Sequence, residues 1–188
     1  RMRNDWLWLG KDHQWRLTNY LATVECELDE MDTRYPDIWK RTMLENLLAF
    51  RFGAIKMAEI HAGLEGTGRT YMYRFDKGRV YANQPWAGAG HACENDYVFH
   101  NTSCVDYGPI DEGLADVVNA AFVNFARCGN PNGEDPDGKV GGKKWDEYDT
   151  TARKTMLFQN DCTTSLAEDP EKVARKTFLD SGAYDTYH

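Results

Sequence analysis

One histidine in a glycine-rich run is the residue of this sequence whose setting is best suited to chemistry. His91 lies within Gly88-Ala-Gly-His-Ala-Cys-Glu94, where the glycines allow close backbone approaches that a side chain would block. The run comes soon after a predicted strand, and α/β proteins place reactive groups in loops at the carboxyl ends of strands. His91 is therefore a candidate catalytic residue. The alternative is a loop histidine held by hydrogen bonds to the rest of the protein.

A second glycine pattern comes close to a phosphate-binding loop. Residues 63–70 run Gly-Leu-Glu-Gly-Thr-Gly-Arg-Thr, with Arg69 where that motif has lysine. A phosphate-binding loop leads from a strand into a helix, whose N-terminus receives the phosphates. Here a predicted helix precedes the glycines and a predicted strand follows them. The order is reversed, so the pattern argues against a nucleotide site.

Two groups of possible metal ligands are also present. The members of a conceivable zinc set are His91, Cys93, His100 and Cys104. Structural zinc sites use tighter paired spacings, which disfavours this set. The loop that contains Asp135 and Asp137 lacks the ligand order of a calcium-binding loop and is predicted to be solvated. We expect no metal and no cofactor.

The composition excludes several classes of protein. Of 188 residues, 41% are apolar and 28% charged, as in ordinary globular domains. The 22 Lys+Arg against 30 Asp+Glu give a net charge of −8, which disfavours nonspecific nucleic-acid binding. We find no apolar run long enough to cross a bilayer and no signal-peptide pattern. Five cysteines without a close pair favour reduced thiols. These features predict a cytoplasmic protein that binds neither nucleic acid nor membranes.

The elements expected to position His91 are a strand before it and a helix after it. The aromatic run 71–75 predicts a short strand, expected to be central in its sheet. Asp111 is the predicted N-cap of a long amphipathic helix, which Gly129 should end. Residues 130–144, rich in Pro, Gly and Asp, are predicted to form a surface loop.

The remaining predicted elements are mostly helical. Helical patterns cover residues 12–30 and a stretch after Asp37, where a broad apolar stripe runs from Met43 to Ile60. A strand is predicted over 154–159, and Asp169-Pro170 should begin a last helix. This order of helices and strands indicates an α/β fold that is helix-rich, with few strands for its length.

Four stretches together carry a family resemblance. They are Phe50-Arg51 with the helical run after it, Tyr71–Asp76, Gly88–Glu94 with Tyr97-Val-Phe99, and Asn124–Asn132 followed by Trp145 and Tyr148. In order and spacing they resemble the C-terminal third of the type-B carboxylesterases, the cholinesterase-like serine esterases. The segment is expected to be one piece of a domain: residues 1–46 match weakly, 47–161 are family-like, and 162–188 hold a C-terminal strand and helix.

The resemblance implies the C-terminal part of an α/β-hydrolase fold and hydrolysis of carboxylic esters by a Ser-acid-His triad. In that family the catalytic histidine stands where His91 stands here, and it shuttles the proton of the nucleophilic serine. Glu94 matches a frequent acidic position of the motif that is not the triad acid, so we expect a structural role for it.

The sequence departs from the family in lacking a nucleophile. The serine motif is G-x-S-x-G, and none of Ser103, Ser165 and Ser181 has that context. Because the chain order in this fold is Ser, acid, His, the serine and the acid are expected upstream of the chain. The segment alone should then be inactive. Its expected partners are a small ester and either the missing N-terminal part or another copy of itself. The alternative is a non-catalytic, cholinesterase-like binding or adhesion module.

Overall fold

The computed structural model describes residues 47–66, 68–78, 89–90, 92–101 and 110–178. The predicted helix at 12–30, the cap at Asp37, and the positions of His91 and Cys104 lie outside these ranges. The chain divides into two compact units, one formed by residues 1–57 with 171–188 and the other by residues 58–170.

The described part of the first unit is helical. A π-helical turn, Leu47–Arg51, leads into helix α1, Phe52–Gly63, which continues into the second unit. The last described helix, α4, covers Lys172–Phe178. Arg51 Nη2 donates to Glu171 Oε2 at 3.0 Å, and their side chains are only 12% and 8% exposed. This sheltered ion pair ties the π-helical turn to the residue that precedes α4.

Helix α1 buries only part of the apolar stripe that its sequence predicts. Ile55 and Ala58 are buried, whereas Met57 and Ile60 are 73% and 65% exposed. Residues three apart lie on one face of a helix, so the two pairs point in different directions. The predicted stripe is therefore wider than the face that the structure covers. Gly53 does not break the helix, since α1 runs through it.

The sheet of the second unit has three described strands. They are β1, Met72–Phe75, β2, Lys154–Phe158, and β3, Thr164–Glu168. β1 is parallel to β2, with Tyr73 opposite Met156, and β2 is antiparallel to β3. Among the described strands β2 is central and β1 lies at an edge, so the expectation of a central β1 is wrong for this part of the sheet. Its aromatic pattern reflects packing instead, since the rings of Tyr73 and Phe122 lie 5.6 Å apart.

The long helix after His91 agrees with its predicted caps. Helix α3 covers Glu112–Cys128, and Asp111 Oδ1 accepts the backbone N–H of Leu114 at 2.7 Å. Gly129 ends it with φ of 68°, a left-handed conformation that glycine adopts without strain. The helix packs on the sheet through one core, whose buried members include Leu114, Val118, Ala121, Trp145, Met156 and Phe158.

The loop at 130–145, called the asparagine loop below, is not simply a surface loop. Pro131 and Val140 are buried within it, and Trp145 at its end is 4% exposed. Asn132 Oδ1 accepts the Trp145 N–H at 2.7 Å, while Asn132 Nδ2 donates to the Trp145 carbonyl at 2.9 Å. This reciprocal pair closes the loop, so the prediction of a surface loop holds for the exposed residues 134–137, 139 and 141–144 and fails at the buried Pro131 and Val140.

None of the helices in the described ranges is both long enough and apolar enough to cross a membrane.

Candidate active site

The backbone on both sides of position 91 is tied into turns. His91 itself lies outside the described residues, but Cys93 N–H donates to the Gly90 carbonyl at 3.1 Å. Asn95 N–H then donates to the Ala92 carbonyl at 3.2 Å, leading into helix α2, Asn95–Val98. Ala92 has φ of 62°, a left-handed conformation that is unfavourable for a residue with a Cβ. Strain of this kind clusters at functional sites, and here it directly follows the candidate histidine.

We call residues 90–101 the histidine segment, and β1 anchors one side of it. The Tyr97 ring is 1% exposed and lies 5.0 Å from the Phe75 ring at the end of β1. Cys93 is buried, and its thiol donates to the Lys77 carbonyl at 3.8 Å. The segment that flanks position 91 is therefore held at the carboxyl end of β1, as the sequence predicts.

Hydrogen bonds join the residues that follow β1 to the end of β2 and to the turn after it. Asp76 N–H donates to the Phe158 carbonyl at 2.8 Å, which extends the parallel pairing beyond Phe75. Lys77 Nζ donates to the Asn160 carbonyl at 3.0 Å, and Gly78 N–H donates to Asn160 Oδ1 at 3.2 Å. Lys77, whose carbonyl accepts the Cys93 thiol, is thus fixed to the turn between β2 and β3, as is Gly78.

Helix α3 anchors the other side of the histidine segment through two polar side chains. Asn119 Nδ2 donates to the Val98 carbonyl at 2.7 Å, at the end of α2. Asp116, one turn earlier, lies 2.7 Å from His100 Nε2, but these two side chains are 74% and 41% exposed. An exposed polar contact of this kind contributes little, because water competes for both groups. The half-buried Asn119 contact is the stronger of the two candidates for fixing α2.

Two members of the conceivable zinc set, Cys93 and His100, lie within the described residues. Cys93 is buried against Lys77, whereas His100 is exposed and paired with Asp116. Within the described ranges, no three His, Cys, Asp or Glu residues are grouped so that they could hold a metal ion. Glu94 is half-buried, and its carbonyl accepts the N–H groups of Tyr97 and Val98, which places it at the start of α2.

The loop that resembles a phosphate-binding motif has the predicted reversed order. Helix α1 ends at Gly63 and strand β1 begins at Met72, so no helix N-terminus receives the glycine run. His61 Nδ1 lies 2.6 Å from Thr70 Oγ1 across this loop. The acidic loop also has a structural use, because Asp135 Oδ1 accepts the Asp137 N–H at 2.9 Å.

Sequence reasoning missed the residues that hold the histidine segment in place. No helix was predicted between the strand at 71–75 and Asp111, yet α2 lies there, and Asn119 received no role. A usable signal was the polar Asn119 within the apolar run Val117-Val-Asn-Ala-Ala-Phe-Val123. A side chain of this kind in the middle of a helix needs a hydrogen-bond partner when it is partly buried.

Comparison with known proteins identifies the family. The chain matches the carboxylesterase family over residues 13–177, and it belongs to that family. No curated protein matches it. A PNB esterase structure is 24% identical with a TM-score of 0.59, covering 87% of this chain and 31% of its own. The Geobacillus stearothermophilus carboxylesterase EST55 at pH 6.2 is 25% identical with a TM-score of 0.61, covering 85% and 31%. A thermophilic PNB esterase is 22% identical with a TM-score of 0.59, covering 87% and 31%.

These matches establish the fold to which the chain belongs. The structural neighbours are α/β-hydrolase esterases, and the helices and small mixed sheet described above are part of that fold. The predicted α/β class and the resemblance to the type-B carboxylesterases are thereby confirmed. The chain spans 31% of the length of each of these three structures.

Proposed function

We propose that this chain is the histidine-bearing C-terminal part of a serine carboxylesterase. The observation that carries the proposal is the placement of the residues on both sides of His91. They are tied to the carboxyl end of β1 through Tyr97 and Cys93, where α/β folds place their reactive loops. Family membership supplies the class of reaction, the hydrolysis of carboxylic esters.

In this proposal His91 acts as the proton shuttle of a Ser-acid-His triad. Its imidazole takes the proton of the serine hydroxyl as the serine oxygen attacks the acyl carbon. When the tetrahedral intermediate collapses, the same proton goes to the departing alcohol oxygen. Water then attacks the acyl-enzyme by the same route, and the carboxylic acid leaves. None of these steps uses a metal or an organic cofactor.

The serine and the acid are proposed to lie upstream of residue 1. Two facts support this placement: the chain covers 31% of the length of the esterases it matches, and none of its three serines lies in G-x-S-x-G. The chain's main partner would then be the N-terminal part of the same enzyme. Met57 and Ile60, both highly exposed on α1, are apolar surface that such a partner could cover.

The substrate proposed is a small or medium-sized, uncharged carboxylic ester, and the proposed location is the cytoplasm. The net charge of −8 gives no attraction for anionic substrates and disfavours nucleic acid as a partner.

The test begins with the coding sequence 5′ of Arg1. A G-x-S-x-G motif and a downstream acid there support the esterase, whereas a replaced serine supports a non-catalytic binding module. The chain alone should show no turnover of an activated ester, because a histidine without its serine has no nucleophile to activate. Fusion to the upstream sequence should restore turnover.

His91→Ala in the fused protein should abolish this turnover. The matched control is His61→Ala, since His61 is an exposed histidine whose ring contacts Thr70 in the loop after α1. Turnover by the chain alone that His91→Ala removes would overturn the placement of the serine upstream. Activity of the fused protein that survives His91→Ala would overturn the role of His91.

A further inference from the structure

The last carbonyl of α2 is the one that a side chain from another helix satisfies. In so short a helix the terminal carbonyls depend on partners outside it. Three of these carbonyls accept backbone N–H groups from the residues that follow the helix. The Asn95 carbonyl accepts from Phe99 at 2.9 Å, that of Asp96 from Asn101 at 2.7 Å, and that of Tyr97 from His100 at 3.3 Å. The fourth carbonyl, that of Val98, accepts Asn119 Nδ2 at 2.7 Å. The contact to Asn119 therefore completes the end of α2.

Asn119 is mounted on the more firmly held of the two helices. Helix α3 has both of its caps formed. Two of its residues close to Asn119, Val118 and Ala121, are each 1% exposed in the core. Helix α2 has only four residues, too short to be stable without tertiary contacts. A hydrogen bond between them thus fixes α2 with respect to α3 rather than the reverse.

We propose that Asn119 is a positioning residue, which holds α2 on α3 and thereby sets where His91 stands. Hydrogen bonds link α2 to the residues on both sides of position 91, since Asn95 N–H donates to the Ala92 carbonyl and Cys93 N–H donates to the Gly90 carbonyl. The catalytic meaning of the contact rests on the proposed function of His91. A triad histidine that is misplaced by a fraction of its hydrogen-bond length loses much of its effect on rate.

The chain itself provides the first test, through Asn119→Asp. The substitution keeps the shape of the side chain but replaces the amide donor with a carboxylate, which only accepts and therefore repels the Val98 carbonyl. Amide hydrogen exchange in the peptide covering 92–101 should become faster by about tenfold, the effect of losing one hydrogen bond with added repulsion. The rate at which diethyl pyrocarbonate carbethoxylates His91, measured by mass spectrometry, should differ between this variant and the parent chain.

The matched control is Asn124→Asp on the same helix. Asn124 Nδ2 faces the Pro131 carbonyl at 3.5 Å, so the same chemical change there meets the asparagine loop instead of α2. Exchange over 92–101 and the modification rate of His91 should stay as in the parent chain. Equal effects of the two substitutions, or no effect of Asn119→Asp on either readout, would overturn the proposal.

The fused, active protein provides the readout that a merely structural role would not move. Asn119→Asp should lower kcat by about tenfold or more with little change in KM, because misorientation of the proton shuttle affects the transition state and not substrate binding. Asn124→Asp should leave both constants unchanged. A parallel loss of kcat and thermal stability in both variants would contradict positioning. If the fused protein has no esterase activity, the proposed function fails, while the exchange and modification rates still decide whether Asn119 fixes the histidine segment.

Discussion

The histidine segment and the asparagine loop are both irregular in sequence, yet they are attached to the fold in different ways. The asparagine loop closes on itself through the reciprocal Asn132–Trp145 pair, and Trp145 Nε1 donates to the Met72 carbonyl of β1 at 3.1 Å. The histidine segment relies on the buried Tyr97, a long thiol contact of Cys93 at 3.8 Å and the single amide of Asn119.

From this difference we infer that the asparagine loop stabilises the unit, whereas the histidine segment orients a side chain. The asparagine loop delivers a large aromatic side chain into the shared core, where its ring contacts those of Tyr73 and Phe158. Its loss should therefore weaken the whole unit. Within its described part, the histidine segment buries only Cys93 and Tyr97, and we expect it to open locally while the sheet stays folded. A segment that must orient one reactive side chain needs accurate placement more than it needs a large share of the core.

The largest expected effect is the removal of the Trp145 ring. Trp145→Ala should lower the free energy of unfolding by about 3–5 kcal/mol, since the residue is nearly buried and its cavity would be large. The control is Trp145→Phe, which keeps an aromatic ring but leaves the Met72 carbonyl without its indole donor, at a cost of about 1–3 kcal/mol. Urea unfolding followed by circular dichroism measures both. A Trp145→Ala protein as stable as the parent would show that the asparagine loop does not stabilise the unit.

A smaller effect should appear in both regions when their shared support is weakened. Asp111→Ala removes the side-chain cap of α3 and should lower the free energy of unfolding by about 1 kcal/mol. Because α3 contacts the histidine segment through Asn119 and the asparagine loop through Asn124, exchange should rise in both regions. Asp111→Asn, which keeps a good capping oxygen, should restore most of the loss. A change confined to one region would show that α3 does not support both.

The smallest effect concerns Asp161, which lies in the turn between β2 and β3. The Thr163 hydroxyl, and then its backbone N–H, donate to Asp161 and hold the pKa of that carboxyl below its ordinary value. A lowered pKa in the folded state adds stability above the unfolded pKa, and this stability is lost as the pH falls through the folded value. The melting temperature of the parent should thus fall more between about pH 5 and pH 2 than that of Asp161→Asn. Thr163→Ala, which removes the larger cause, should reduce the parent's dependence on pH. A parent and an Asp161→Asn protein with the same dependence would contradict the assignment.

Local signals in the sequence were sufficient for the elements whose ends are chemically marked. Asp111 and Gly129 predicted both ends of α3, because caps act over a few residues, and a strand predicted over 154–159 forms β2. The surroundings of His91 were predicted only in part. Its place after β1 followed from the order of the motifs, whereas α2 and the role of Asn119 did not.

Sequence patterns were enough to predict the α/β class, the carboxylesterase family and the long helix that follows the candidate histidine in the chain, since all three depend on periodicity, capping and ordered motifs. Packing in three dimensions was needed to show that β1 lies at the edge of the described strands, and that the buried Trp145 has its backbone bonded to Asn132, thirteen positions before it. It also decided that the Val98 carbonyl is satisfied from α3. The reason is physical. A hydrogen bond between residues distant in sequence forms only after packing has brought donor and acceptor together, and neither residue type alone specifies its partner.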